Sequence, residues 1–328
     1  MPILRARISG TGSAVPERVL TNADLERMVD TTDEWITART GIKERRIVGE
    51  GDTTSTLATR AAKQALAQAD VRPEQLDMIL VATVTPDYPF PSTACLVQNN
   101  LGARNAVAFD LSAACSGFLY GLAVAERFIR CGSARRVLVI GAEVLSRIVD
   151  WNDRNTCVLF GDGAGAAVVE AHEGEGGILS THIHSDGSYW EMLHQPGPGS
   201  RNPAVQRTLD EGLVYIRMQG NEVFKLAVRA MEQAALEALA ANGLQPADID
   251  FFIPHQANKR IIDAIGRRLN LREDQVFVNL DQYGNTSAAS IPLALDQANR
   301  AGRIKKGDVV LFAAFGGGLT WGAVLIRW

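Results

Sequence analysis

"VRPEQLDMILVATV" (residues 71–84) and "LQPADIDFFIPHQA" (residues 244–257) can be laid one over the other, with a proline at the third position, acidic residues behind it and then a hydrophobic run. Each follows an alanine-rich helical pattern, "LATRAAKQALAQAD" (57–70) and "VFKLAVRAMEQAALEALAANG" (223–243). Further on, "CGSARRVLVIGAE" (131–143) resembles "AGRIKKGDVVLFAAF" (301–315), a basic turn feeding a buried strand, and "GAGAAVVEA" (163–171) matches "LTWGAVLIRW" (319–328). Such self-similarity constrains the architecture before any motif is read. Helical stretches alternating with short Val/Ile/Leu runs predict an α/β chain with largely buried sheets. The duplication predicts two similar halves, residues 1–172 and 173–328. Between them, "GEGGILSTHIHSDGSYWEMLHQPGPGSRNP" (174–203) is rich in glycine, proline and polar residues, and is expected to hold the boundary and a long surface excursion.

The chain has 328 residues, 46% hydrophobic and 21% charged, which excludes disorder and allows a large core. Acidic side chains number 37 against 33 basic ones, a formal charge of -4, with no basic block of the kind that binds nucleic acid. Alternation at Ile3, Arg5, Arg7 and Ile8 fits a first strand rather than a signal peptide, and no later run is long enough to span a membrane. The four cysteines, Cys95, Cys115, Cys131 and Cys157, lie far apart with no C-x-x-C pair, which indicates neither a disulfide framework nor a zinc site and points to a reducing cytosol. His182 and His184 share one strand face without a third ligand nearby, so they read as surface histidines, not a metal site.

Cys115 sits in "FDLSAACSGFLYG" (109–121), where a strand gives way to a helix whose apolar stripe is Phe118, Leu122, Ala125 and Ile129 and whose polar face is Glu126, Arg127 and Arg130. A helix N-terminus favours an anion, so the thiol is expected below its usual ~8.5, and the small neighbours Ala113, Ala114, Ser116 and Gly117 allow close approach of a substrate. The competing reading is a small buried hydrophobe, which is also the reading given to the other three cysteines. Asn285 occupies the corresponding turn of the second half, "YGNTSAAS" (283–290), His255 follows the strand "DFFIP" (250–254), and Gly316, Gly317 and Gly318 follow "VVLFAAF" (309–315). Strand ends in open α/β sheets gather ligand sites, and a thiol, two side-chain donors and exposed backbone N–H groups are the parts for acyl transfer through a thioester.

The motifs "AACSGF", "FGDGAGAAV", "GNEVFKLAV", "PHQAN", "GNTSAAS" and "AFGGGLTWG", behind the N-terminal "GTGSAVPERVLTNADLERMVDTTDEWITARTGIKERRI", run in the order found in one family. The chain closely resembles the beta-ketoacyl-acyl carrier protein synthase III family of the thiolase superfamily, nearly end to end. The resemblance implies a thiolase-like layered αβαβα sandwich made of the two halves, as a homodimer in the cytoplasm. It also implies initiation of fatty-acid synthesis by decarboxylative condensation of an acyl-CoA with malonyl-acyl carrier protein, with no metal or redox cofactor. Cys115 would be the nucleophile, the N–H groups of Cys115 and Gly317 the oxyanion hole, and His255 and Asn285 the donors to the malonyl thioester. Trp35 and Arg154 would sandwich the adenine of CoA, Arg39 would meet its phosphates and Asn221 its pantetheine arm. Phe90 would reach the neighbouring subunit's acyl pocket. Arg260, helped by Lys225, Arg267 and Arg268, would meet the acidic carrier protein. Rival readings are a secondary-metabolite condensing enzyme of the same family with another acceptor, a chalcone-synthase-like enzyme, a non-catalytic CoA-binding module and a thiol-redox protein, the last disfavoured by the lack of a nearby resolving cysteine.

Overall fold

Runs of β-branched and small apolar residues become the strands of two sheets in a computed structural model that describes residues 4–328. The first sheet holds β1 (Arg5–Ala14), β2 (Met78–Ala82), β3 (Val107–Leu111), β4 (Arg136–Glu143) and β5 (Gly163–His172) in the order β1-β5-β4-β2-β3. The second holds β6 (Gly177–Ser185), β7 (Phe251–Pro254), β8 (Val309–Gly316) and β9 (Thr320–Arg327) in the order β7-β8-β9-β6. The orders correspond: β1 runs antiparallel to β5 as β6 does to β9, and β2 parallel to β4 as β7 does to β8. Beside β7, where β3 would have its counterpart, there is a single bridge between Phe252 and Val276.

The longer helices are α1 (Asp33–Thr40), α2 (Thr54–Ala69), α3 (Thr93–Leu101), α4 (Gly117–Arg130), α5 (Gly220–Ala240), α6 (Lys259–Arg268) and α7 (Ser290–Arg300). Alanines of α2 lie on the outer face of the first sheet, with α3 beside them, and α5 and α6 cover the outer face of the second. Between the sheets lie α4 and α7, whose Phe118, Leu122, Ile129, Ile291 and Leu295 join strand residues of both sheets in one core. The result is a five-layered αβαβα sandwich, the thiolase-like arrangement. Asp296 on α7 accepts from Thr11 Oγ1 (2.8 Å) and Ser13 Oγ (2.7 Å) on β1, so the helix of one half is tied to a strand of the other.

The central layer changes one expectation. Glu126, placed by periodicity on a polar face, is buried, because a helix between two sheets has no wholly solvated side. Its carboxylate accepts from Thr181 Oγ1 (2.8 Å) on β6 and pairs with Arg130 (3.1 Å) and Arg127. A second correction concerns residues 174–203, of which Gly177–Ser185 is not an excursion but the edge strand β6. The shared face of His182 and His184 marked part of this strand, while glycine and serine masked its extent; its Ile178 and Thr181 are buried against neighbouring elements. The first strand begins at Arg5; Ile3 lies outside the described residues. Among the described residues no helix is long and apolar enough to cross a membrane.

Candidate active site

After β3 the chain makes a sharp turn in which Ala114 takes a left-handed φ of 44°, and a tight turn of 3-10 helix, Ala114–Ser116, leads into α4. The second half repeats this: Ser287 has φ 49°, the 3-10 turn is Ser287–Ala289, and α7 follows. Left-handed backbone without glycine is strained and persists only where the surroundings over-determine it. Here two glycines supply the packing. A Cβ on Gly141 would fall 2.0 Å from the Ala288 carbonyl oxygen, and one on Gly316 would fall 2.6 Å from the Cys115 nitrogen. Gly316 is therefore the glycine pressed against the Cys115 turn, whereas Gly317 lies beside the Leu193 carbonyl.

Cys115 is buried but lines a cavity of about 790 Å³. The expectation of a lowered thiol pKa does not hold. Burial pushes it from 9.0 to about 12, the nearby Glu143 carboxyl adds to the rise, and the Ser287 hydroxyl opposes it. That rise is on the order of 4 kcal/mol against the anion, while a helix N-terminus returns at most ~2 kcal/mol in favourable, partly buried settings. Desolvation wins, and the thiol stands neutral. Glu143, missed in the sequence, is fully buried at the end of β4; its carboxyl accepts from Ser287 Oγ (3.0 Å), Thr83 Oγ1 (3.2 Å), Thr85 Oγ1 (2.6 Å) and Val84 N–H (3.1 Å). Burial raises its pKa to about 7 against the pull of those donors.

His255 leaves the end of β7 with its N–H donating to the Ala313 carbonyl on β8 (2.8 Å), and its Nδ1 lies 2.6 Å from Ser290 Oγ at the start of α7. Burial drives the imidazole down to about 3, so it is neutral. The neighbouring Gln256 secures the turn by donating to the Pro254 (2.8 Å) and Phe277 (3.1 Å) carbonyls and accepting from Asn279 N–H (3.0 Å). Asn285 is pinned through its backbone to Leu159 and Gly161, and its Oδ1 accepts from Ser287 N–H (2.8 Å). That bond fixes which amide atom is the oxygen and leaves Nδ2 as the free donor of a side chain that lines the cavity. Cys115, His255 and Asn285, far apart in sequence, all line this one cavity, as does Phe315.

The same cavity opens past Trp35, Arg39, Asn221, Lys225 and Arg260. Asn258 stitches this mouth together: its Nδ2 donates to the Arg39 carbonyl (3.1 Å) at the end of α1, and its Oδ1 caps α6 at Arg260 N–H (2.9 Å). Arg260 lies over the Phe224 ring at 5.4 Å, and Lys225 pairs with Glu222. Arg154 is placed differently from the expected sandwich. Its guanidinium is 5.3 Å from the centroid of Trp35 itself and donates to the Asp30 carbonyl (2.7 Å), while Arg39 is 4.7 Å from the same ring. Stacked rings keep about 4.5–7 Å between centroids, so a purine between Trp35 and Arg154 requires Arg154 to swing away. Arg267 and Arg268, at the far end of α6, do not line the cavity; both are exposed, and Arg268 pairs with Glu232. Phe90 is 84% exposed and does not line the cavity. His182 and His184 both reach Glu237 on α5. Of the remaining cysteines Cys157 is buried, but Cys131 is exposed, contrary to the buried reading.

Two family models, described as the 3-oxoacyl-[acyl-carrier-protein] synthase III domain and the C-terminal domain of the same enzyme, match residues 109–187 and 239–328. A beta-ketoacyl-[acyl-carrier-protein] synthase III of Caldanaerobacter subterraneus is 60% identical over 99% of this chain and 98% of its own. The chain belongs to the beta-ketoacyl-[acyl-carrier-protein] synthase III family. It is thus a condensing enzyme of the acyltransferase type that initiates fatty-acid synthesis. The crystal structure of the Aquifex aeolicus synthase III superposes with a TM-score of 0.93 at 54% identity, covering 98% of this chain and 100% of that one. A priming beta-ketosynthase from the R1128 polyketide pathway superposes at 0.91 with 37% identity, covering 99% of this chain and 97% of its own.

Proposed function

We propose that Cys115 attacks the thioester carbonyl of an acyl-CoA primer, acetyl-CoA first among them, and keeps the acyl group as its own thioester. The thiol is neutral beforehand, so its proton leaves with the CoA sulfur and the exchange of one thioester for another is balanced. The carbonyl oxygen becomes an anion at the addition step, and the backbone N–H groups of Cys115 and Gly317 are the donors assigned to it. Trp35, Arg39, Asn221 and, once it has moved, Arg154 hold CoA at the mouth.

Malonyl-acyl carrier protein follows, guided by Arg260 with Lys225, Arg267 and Arg268 toward an acidic partner. The bond to its carboxylate breaks, carbon dioxide departs, and the electron pair moves onto the thioester as an enolate. His255 and Asn285, both neutral N–H donors, stabilise that oxygen. The α-carbon then attacks the acyl-cysteine, the carbon–sulfur bond breaks, and the Cys115 thiolate takes a proton from water. The product is a 3-oxoacyl-acyl carrier protein. No metal or redox cofactor enters this scheme. The acting unit is proposed as a homodimer with Phe90 of one chain at the other's acyl pocket, supported by the exposure of Phe90 and Tyr88, and the cysteine usage supports a cytoplasmic home.

The convergence of Cys115, His255 and Asn285 on one cavity carries this reading. An acyl-CoA panel with malonyl-acyl carrier protein tests it, and acetoacetyl-acyl carrier protein is the expected product with acetyl-CoA. Transfer only to small-molecule acceptors, with no such product, would instead assign the chain a specialised acceptor.

A further inference from the structure

We propose that Ser290 is a positioning residue that sets the tautomer of His255 by donating its hydroxyl proton to Nδ1, so that Nε2 carries the N–H that faces the substrate. This rests on the reading of His255 as a donor to the malonyl thioester oxygen. The Oγ···Nδ1 separation is 2.6 Å, and both groups are buried, Ser290 at 2% and His255 at 3% exposure. A 2.6 Å contact is a hydrogen bond in either direction, so the proton count decides between them.

If Nδ1–H donated to Ser290, the hydroxyl would need another acceptor, and Ser290 Oγ makes no donor bond elsewhere among the described residues. A buried donor left unpaired is costly. The reverse direction satisfies every group. Ser290 O–H goes to Nδ1, the Gln256 N–H, 3.4 Å away, approaches the Ser290 oxygen as a weak donor, and Nε2–H is left for the cavity. It also suits the chemistry, since a bare Nε2 lone pair would repel the enolate oxygen it is meant to stabilise.

The second half of the chain supplies an independent argument. Ser290 opens α7 as Gly117 opens α4, after 3-10 turns of the same length that each start with a left-handed residue, Ser287 and Ala114. Since the turn before α4 is built with no side chain at that position, the fold does not demand a hydroxyl there. A histidine faces Ser290 in the half that has the serine.

The tautomer is read from the wild-type protein labelled with ¹⁵N at histidine. Spectra correlating ring nitrogens with carbon-bound protons separate the forms, because Nε2 couples to both ring protons and Nδ1 strongly to only one. The chain has 5 histidines, and the signals missing from His255→Ala identify the relevant ring. A protonated Nε2 with a hydrogen-bonded, unprotonated Nδ1 is expected, and a protonated Nδ1 would overturn the proposal. Ser290→Ala should shift the Nδ1 signal and slow malonyl-acyl carrier protein decarboxylation by roughly tenfold, the loss of about one hydrogen bond, with acyl loading close to wild type. An unchanged spectrum and unchanged decarboxylation in Ser290→Ala, where His255→Ala abolishes decarboxylation, would overturn the role of Ser290 alone. Full decarboxylation by His255→Ala would overturn the donor reading and this proposal with it.

Discussion

Burial holds the Cys115 thiol and the His255 imidazole neutral, and it also keeps a proton on Glu143 up to about pH 7. Each shift has a measurable sign. Iodoacetamide labelling of Cys115, followed by peptide mass spectrometry, should climb with pH through about 9 without levelling off; a plateau near 7 would show an activated resting thiolate. Cys131, exposed and lowered by its bonds to Ser133, should label first. For Glu143 the folded pKa of about 7 exceeds the ordinary 4.5, so between those values the folded chain holds a proton that the unfolded chain has lost. Its contribution to stability is complete below 4.5 and is lost as pH rises to about 7. His255 acts oppositely, since its drop from 6.5 to about 3 costs stability as pH falls through that range. Urea unfolding of Glu143→Gln should therefore remove one arm. The wild type's stability relative to the variant should fall by up to ~3 kcal/mol between about pH 5 and pH 8, and a pH-independent difference would contradict the assignment. None of these shifts was legible from motifs. The helix start ahead of Phe118 was visible in the residues, but the desolvation that outweighs it depends on the sheet above, the helix beside it and a carboxyl contributed by β4.

The elements around the site differ in how openly the sequence announced them. Alanine spacing in α2 and the unbroken apolar runs of β4 and β8 gave the layers, because such patterns report burial directly. By contrast only the His182 and His184 stretch of β6 read as strand, its start being obscured by glycine and serine, and the buried Glu126 of α4 reads as polar surface, since a periodic pattern cannot say that a second sheet covers the other side of a helix. The motifs at the mouth were recognisable, but the stitch between α1 and α6 through Asn258 was not, as it joins residues whose separation in sequence carries no pattern. The mouth yields its own prediction. Arg260 lies at the first turn of α6 and lines the cavity, so Arg260→Glu should raise the KM for malonyl-acyl carrier protein roughly tenfold and weaken its salt dependence, with acyl-CoA loading within about twofold of wild type. Equal losses in both half-reactions would mean that Arg260 maintains the mouth rather than recruiting the carrier.

On the scale of the whole molecule, the duplication does the chemical work of bringing two differently furnished turns face to face. One turn carries the thiol, the other carries Asn285 and Ser290, and the left-handed residues Ala114 and Ser287 hold both in the same shape. The repeat was readable because its hydrophobic runs and prolines stayed in register, whereas the contacts across it, Gly141 against Ala288 and Gly316 against Cys115, emerge only when the layers close. The proposed chemistry requires the sulfur of Cys115 to take the acyl group. Intact-protein mass spectrometry after incubation with acetyl-CoA should show wild type heavier by one acetyl group and Cys115→Ser unchanged; an equal gain in the variant, or none in wild type, would contradict it.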